Sequence, residues 1–162
     1  MAVSNMKTLI ICFSYHHNNT EKIASVFAKT LEAEVKAPSE VDPNALSNFD
    51  IVGFGSGISF GNHYKVLLEF ADKVPAVTNK KAFIFSTSGQ AGNGPKFHRK
   101  LREKLESKGF DIVGEFNCTG FDTYGLLKIA GGIQKGHPNE EDLKQAETFA
   151  LSLKQLPQNS DS

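Results

Sequence analysis

Three short polar segments carry residue types suited to holding an anionic, planar ligand. The first, Ser14-Tyr15-His16-His17-Asn18-Asn19-Thr20, lies between an apolar run and a helical pattern. Its hydroxyls, amides and imidazoles stand where the first N–H groups of a helix lack intrahelical partners. A phosphate placed there meets the positive end of the helix macrodipole, equivalent to roughly half a charge. The segment contains no Lys or Arg, which suits a phosphomonoester held by neutral donors and does not fit a P-loop, whose lysine is missing. The plainer reading of the same residues is a helix start, with Asn18 as the cap and Glu21 at capping-box spacing.

The second segment, Ser56-Gly57-Ile58-Ser59-Phe60-Gly61-Asn62-His63-Tyr64, mixes glycines with apolar and aromatic side chains. A planar ring system needs apolar faces to lie against and backbone amides at its polar edge. The alternative is an ordinary turn with Phe60 packed into the core. The third, Ser86-Thr87-Ser88-Gly89-Gln90-Ala91-Gly92-Asn93-Gly94, offers hydroxyls and backbone groups to a pyrimidine-like edge, or else is an exposed connection. Three such segments at converging positions are stronger evidence than any one of them.

The elements that must position these segments alternate along the chain. Lys7–Phe13 is almost continuously apolar and reads as a strand buried on both faces of a parallel sheet. Ile23, Val26, Phe27 and Leu31 fall on one face of a following helix. Glu34–Ala37 is a short strand, Pro38–Asn48 a loop with two prolines, and Asp50–Gly55 a second buried strand. His63–Val74 has helical spacing, Lys81–Phe85 is a third strong strand, and Pro95 opens one helix with the stripe Phe97, Leu101, Leu105. Phe110–Cys118 is a strand interrupted by Gly114, and the acidic start Pro138–Asp142 opens the last helix. The pattern predicts a single α/β domain over residues 1–162: a three-layer fold with a five-stranded parallel sheet covered by helices on both faces. Residues 1–5 and 157–162 are expected to be flexible ends. If the strand order is 2-1-3-4-5, the three polar segments converge at the carboxyl ends of neighbouring strands. Thr119–Pro138 is glycine-rich without a clear period, and such a loop often serves a site. Asp122 and Tyr124 are its candidates for contact with a ligand, the alternative being that Phe121 and Tyr124 anchor the loop.

Composition narrows the function. Among 162 residues, 18 Lys and Arg balance 18 Asp and Glu, which gives no support for nucleic-acid binding or a polybasic membrane anchor. Arg99 and Arg102 are the only arginines. No apolar run is long enough to span a bilayer, and the first residues do not resemble a secretion signal, so a cytoplasmic location is expected. Cys12 and Cys118 are too few for a disulfide framework or a zinc site and read as small core residues. Cys12 is not followed by the arginine a phosphatase loop needs, and Cys12-Phe13-Ser14 lacks the aspartate of a receiver domain. Lys96, Lys100, Lys104 and Lys108 recur every four residues and read as a solvated helix face rather than a docking stripe.

Phe13-Ser14-Tyr15-His16-His17-Asn18-Asn19-Thr20-Glu21-Lys22-Ile23-Ala24 resembles the FMN phosphate loop of the flavodoxin family, where a hydroxyl-rich turn opens the first helix. Gly53–Ile58 with Phe60-Gly61, and Phe85–Gly89, are similar to the family's two ring-binding loops. The resemblance extends over nearly the whole chain. It implies a flavodoxin-like fold, with FMN phosphate bound by Ser14, His16, His17, Asn18, Asn19 and Thr20. Ser56, Gly57, Ile58, Phe60 and Gly61 would line one side of the isoalloxazine, and Thr87, Ser88 and Gly89 its other side and pyrimidine edge. It also implies electron transfer with redox protein partners, by a monomer or homodimer. Three departures from the family pattern are visible: Asn18 stands where glycine is usual, no aromatic lies between Ser86 and Lys96, and the chain is neutral rather than acidic. The second reading is an FMN-dependent NAD(P)H:quinone-type reductase, and a third is a flavin-free binding module on the same fold.

Overall fold

Side-chain alternation in the central strands sets the layers. The computed structural model describes residues 6–14, 19–59, 61–88, 94–119 and 138–156. Strand β1 (Thr8–Phe13) is buried almost throughout. It pairs in parallel with β2 (Glu34–Lys36) on one side and β3 (Ile51–Ser59) on the other. Strands β5 (Lys80–Ser88) and β6 (Phe110–Thr119) extend the sheet beyond β3, both parallel. The order β2-β1-β3-β5-β6 is the five-stranded path expected from the sequence. One further strand, β4 (Asn62–His63), folds back antiparallel on the end of β3.

Leu9, Ile11, Val52, Phe54, Ala82 and Ile84 face one layer, made by α2 (Lys65–Lys73) and α4 (Arg99–Ser107). Ile10, Cys12, Phe83 and Phe85 face the other, made by α1 (Asn19–Leu31) and α5 (Glu140–Lys154). Odd and even positions of β1 thus feed separate cores, which is why its sequence is apolar without a break. In the second core Phe27 meets Phe83, Phe85, Phe116 and Phe149, with ring centroids 5.1 to 5.6 Å apart. The pairs with Phe83, Phe85 and Phe116 are edge-to-face, an arrangement that adds about 0.5–1.5 kcal/mol each beyond the area it buries. The rings of Phe83 and Phe85 press against Gly53 and Gly55, where a Cβ would clash with ring carbons.

The structure differs from the sequence reading in extent and in two elements. Strands β3 and β5 run on through Ser59 and Ser88, so Ser56–Ile58 and Ser86–Ser88 are ladder residues rather than loop. His63 belongs to β4 and Tyr64 to the start of α2, which shortens the helix expected from His63. The helix after Pro95 is two pieces, α3 (Gly94–Phe97) and α4, broken at His98. Pro38–Glu40 and Pro43–Asn48 form short 3-10 helices, the first burying Pro38 and the second Leu46. Gly114 sits just past a register shift, Ala82 facing Ile112 but Phe83 facing Gly114, and a Cβ there would be 2.9 Å from the Phe149 ring. The acidic start of α5 is a reciprocal cap, Asn139 Oδ1 accepting from the Asp142 amide and Asp142 Oδ2 from the Asn139 amide, both at 2.9 Å. The expected flexible ends, the Asn18 cap, Asp122 and Tyr124 lie outside the described residues.

Candidate functional site

Parallel register brings the three polar segments to one edge of the sheet. Phe13 faces Ser56, Ser56 faces Ser86, and Ser86 faces Asn117, so four strands reach this edge in one row. One residue further on, Gly57 faces Thr87 and Thr87 faces Cys118.

The first segment begins with Ser14, whose Oγ is buried and has no hydrogen-bond partner among the described residues. Helix α1 starts five residues later at Asn19, and the amides of its first turn lack acceptors within the helix. A buried hydroxyl with no partner among the described residues, five positions ahead of a helix start, fits an anionic group. Thr20, 1% exposed, shares a hydrogen bond of 2.8 Å with Thr87 Oγ, 5% exposed. This contact ties the first segment to the third across 67 positions of sequence. His16, His17 and Asn18 lie outside the described residues.

The second segment is a hairpin. The Ser56 hydroxyl donates to the Gly57 carbonyl at 2.7 Å and accepts from the Tyr64 amide at 3.2 Å. Ser56 is wholly buried, so its side chain holds the hairpin closed. Ile58 is half-buried and pairs with His63. Gly57 lies under the Tyr64 ring, and a Cβ at Gly57 would be 3.0 Å from it. Tyr64 in turn meets Phe13 edge-on, with centroids 5.8 Å apart. Gly61 has φ of 80°, a left-handed conformation that favours glycine, and open space where a Cβ would stand. Phe60 and Gly89 lie outside the described residues. In the third segment Ser88 accepts from Asn117 Nδ2 at 3.3 Å.

A family model for the flavodoxin domain matches residues 10–120. The chain belongs to this family. It is 52% identical over 148 residues to an uncharacterized protein of Methanocaldococcus jannaschii, spanning 91% of this chain and 98% of that one. Among solved structures it is similar to flavodoxin 2 of Bacillus cereus, with TM-score 0.70 and 20% identity, covering 90% of this chain and 96% of the other. It is also similar to a Fusobacterium nucleatum flavodoxin bound to flavin mononucleotide, with TM-score 0.65 and 15% identity over 92% and 98% of the two chains. These two likenesses show the shared flavodoxin fold.

Behind the flavodoxin loops lies a polar cluster that reading the sequence missed. His63 and His98 are buried with ring centroids 5.0 Å apart. His63 Nε2 donates to the Phe85 carbonyl at 3.1 Å, and burial, then the neighbouring His98, lowers its pKa to about 3. His98 contacts Ser86 and Glu115, and burial, then the Arg102 guanidinium, lowers its pKa to about 4. The one available signal was the placing of Glu115 and Asn117 on alternate positions of a strand whose other residues are mostly apolar. Cys12 and Cys118 are buried in the core as expected, each thiol pushed up to about 12 chiefly by burial. Lys104 Nζ pairs with Asp72 at 2.7 Å and Lys108 Nζ donates to the Asp72 carbonyl at 3.0 Å, so half of the lysine row straps α4 to α2. Among the described residues no cluster of His, Cys, Asp or Glu is arranged to hold a metal, and no helix is long and apolar enough to cross a membrane.

Proposed function

We propose that this chain binds FMN at the carboxyl edge of β1, β3 and β5 and serves as a one-domain electron carrier between redox protein partners in the cytoplasm. The observation that carries the reading is the Thr20–Thr87 contact, together with the buried Ser14 hydroxyl that has no partner among the described residues. It joins the segment suited to a phosphate to the segment suited to a ring edge, as a ligand with both parts requires. Bound FMN supplies reversible electron transfer, while the chain supplies binding and orientation.

On this reading the phosphate rests on the first turn of α1, with Ser14, Asn19 and Thr20 as donors and His16, His17 and Asn18 completing the loop. Ser56 and Gly57 fix the hairpin that carries Ile58, Phe60 and Gly61 along one side of the ring. Thr87, Ser88 and Gly89 stand on the other side. The Tyr64 ring over Gly57 adds an aromatic wall beside the hairpin.

The test is a titration of the flavin-free protein with FMN, followed by assay of the loaded protein with NADH and NADPH. Quenching of FMN fluorescence at a one-to-one ratio, with no direct oxidation of either nicotinamide, is the expected outcome. Rapid nicotinamide oxidation would replace the carrier reading with that of a reductase. Absence of quenching would remove the flavin.

A further inference from the structure

An unbroken hydrogen-bond chain runs from Arg102 on α4 to Ser88 at the end of β5. Arg102 Nη1 donates to both Glu115 carboxylate oxygens at 2.9 Å. Glu115 Oε1 lies 2.9 Å from His98 Nδ1, and His98 Nε2 lies 2.7 Å from Ser86 Oγ. Asn117 Nδ2 donates to Ser86 Oγ at 2.8 Å and to Ser88 Oγ at 3.3 Å.

The direction of each bond follows from its neighbours. Arginine only donates and a carboxylate only accepts, so the proton on His98 sits on Nδ1. His98 is neutral near pH 7, with a pKa of about 4, and its Nε2 therefore accepts from the Ser86 hydroxyl. The Ser86 oxygen then accepts from Asn117, whose amide also reaches Ser88, where β5 enters the third loop. The Glu115–Arg102 pair thus selects the His98 tautomer, and that tautomer orients everything up to Ser88. His98 breaks the helix between α3 and α4 and is wholly buried, so it is fixed on both sides. The groups that face it are Ser86, Glu115, Arg102 and the His63 ring.

We propose that His98 is a positioning residue for the cofactor site: by holding Ser86 from behind, and through Asn117, it sets Ser88 and the mouth of the third loop. The inference rests on reading that loop as one that meets the flavin ring.

The test compares three substitutions in the full chain. In His98→Gln the longer amide reaches the place of Nε2 and keeps the Ser86 bond. In His98→Asn the shorter amide reaches the place of Nδ1 and keeps only the Glu115 bond. His98→Phe keeps the ring packing on His63 and neither bond. Loss of one buried hydrogen bond corresponds to about tenfold in affinity. His98→Asn and His98→Phe are therefore expected to bind FMN and riboflavin about tenfold more weakly, both ligands alike because the ring loop serves both, while His98→Gln stays within about threefold of the parent. In the flavin-free protein, amide hydrogen exchange at Thr87 and Ser88 speeds up in His98→Asn and His98→Phe and not in His98→Gln. Ser86→Ala, which cuts the chain one bond further on and leaves His98 held by Glu115, gives the same losses and keeps the test open if a His98 variant fails to fold. Equal affinities and equal exchange across the folded variants would overturn the proposal, as would losses that follow thermal stability rather than the Gln–Asn split. Parent protein that binds flavin while the variants are unaffected removes this inference alone; parent protein that binds no flavin removes the cofactor reading with it.

Discussion

Thr20 Oγ and Thr87 Oγ lie 2.8 Å apart in a site almost closed to solvent, one on the first turn of α1 and the other near the end of β5. Each hydroxyl satisfies the other, so removing one strands its partner. Thr20→Val should cost about 1–3 kcal/mol of stability, whereas Thr20→Val combined with Thr87→Val should be closer to the parent, because no buried hydroxyl is then left unpaired. Urea unfolding of the two singles and the double measures this coupling. Additive losses would show that the pair does not act as a unit. Because Thr20 also holds Thr87, Thr20→Val should weaken riboflavin as well as FMN.

Ser14 gives the cleaner probe of the phosphate. Its Oγ is buried with no partner among the described residues, so Ser14→Ala should leave the stability of the flavin-free protein unchanged or slightly raised. FMN binding should fall about tenfold while riboflavin binding holds, since only FMN carries the anion. Fluorescence titrations with both ligands check this. Equal losses for the two would move the phosphate away from Ser14.

Two buried histidines make stability depend on pH. Their pKa values, about 4 for His98 and about 3 for His63, lie below the ordinary 6.5. Above about pH 6.5 both are neutral in the folded and unfolded chain alike. As pH falls below that, the unfolded chain takes up protons that the folded chain refuses, so stability declines until the folded pKa values are reached. At pH 5 the loss relative to pH 7 is about 2 kcal/mol per histidine, in a range where ordinary carboxylates have hardly begun to protonate. Urea midpoints at the two pH values should show it, and His98→Gln should shrink the difference. A difference unchanged by that substitution would contradict the assignment.

Gly55 has no room for a methyl group, because the Phe85 ring lies across it. Gly55→Ala should destabilise by about 1–3 kcal/mol through overpacking. Pairing it with Phe85→Leu should restore part of the loss by moving the obstructing atoms. Thermal unfolding of the two variants decides the matter, and a neutral Gly55→Ala would show that Phe85 swings aside freely.

The parallel sheet and its order were legible because β1, β3 and β5 are buried on both faces, which leaves an unbroken apolar signature in Thr8–Phe13 and Lys81–Phe85. Their ends were not legible. Ser56, Gly57, Ser86 and Thr87 are turn-forming residues by type, yet register with one another keeps them in the ladder. His63 fell within a helical spacing because Val66, Leu67 and Phe70 follow it, and only the pairing of Ile58 with His63 makes it a strand residue. The stripe Phe97, Leu101, Leu105 reads straight across the break at His98. The polar cluster was hidden for a different reason: His98 finds Ser86 12 positions before it and Glu115 17 after it, on two different strands. No local pattern records such a meeting. Ser14, Thr20 and Thr87 were singled out because polar residues directly after an apolar run form a local pattern, and the structure brings Thr20 and Thr87 together.

The most direct measurement of the central claim is a fluorescence titration of the flavin-free full chain against FMN, with riboflavin titrated in parallel. Stoichiometric quenching with FMN bound more tightly than riboflavin is the result expected if the start of α1 holds the phosphate. Undiminished emission from both flavins would contradict the account.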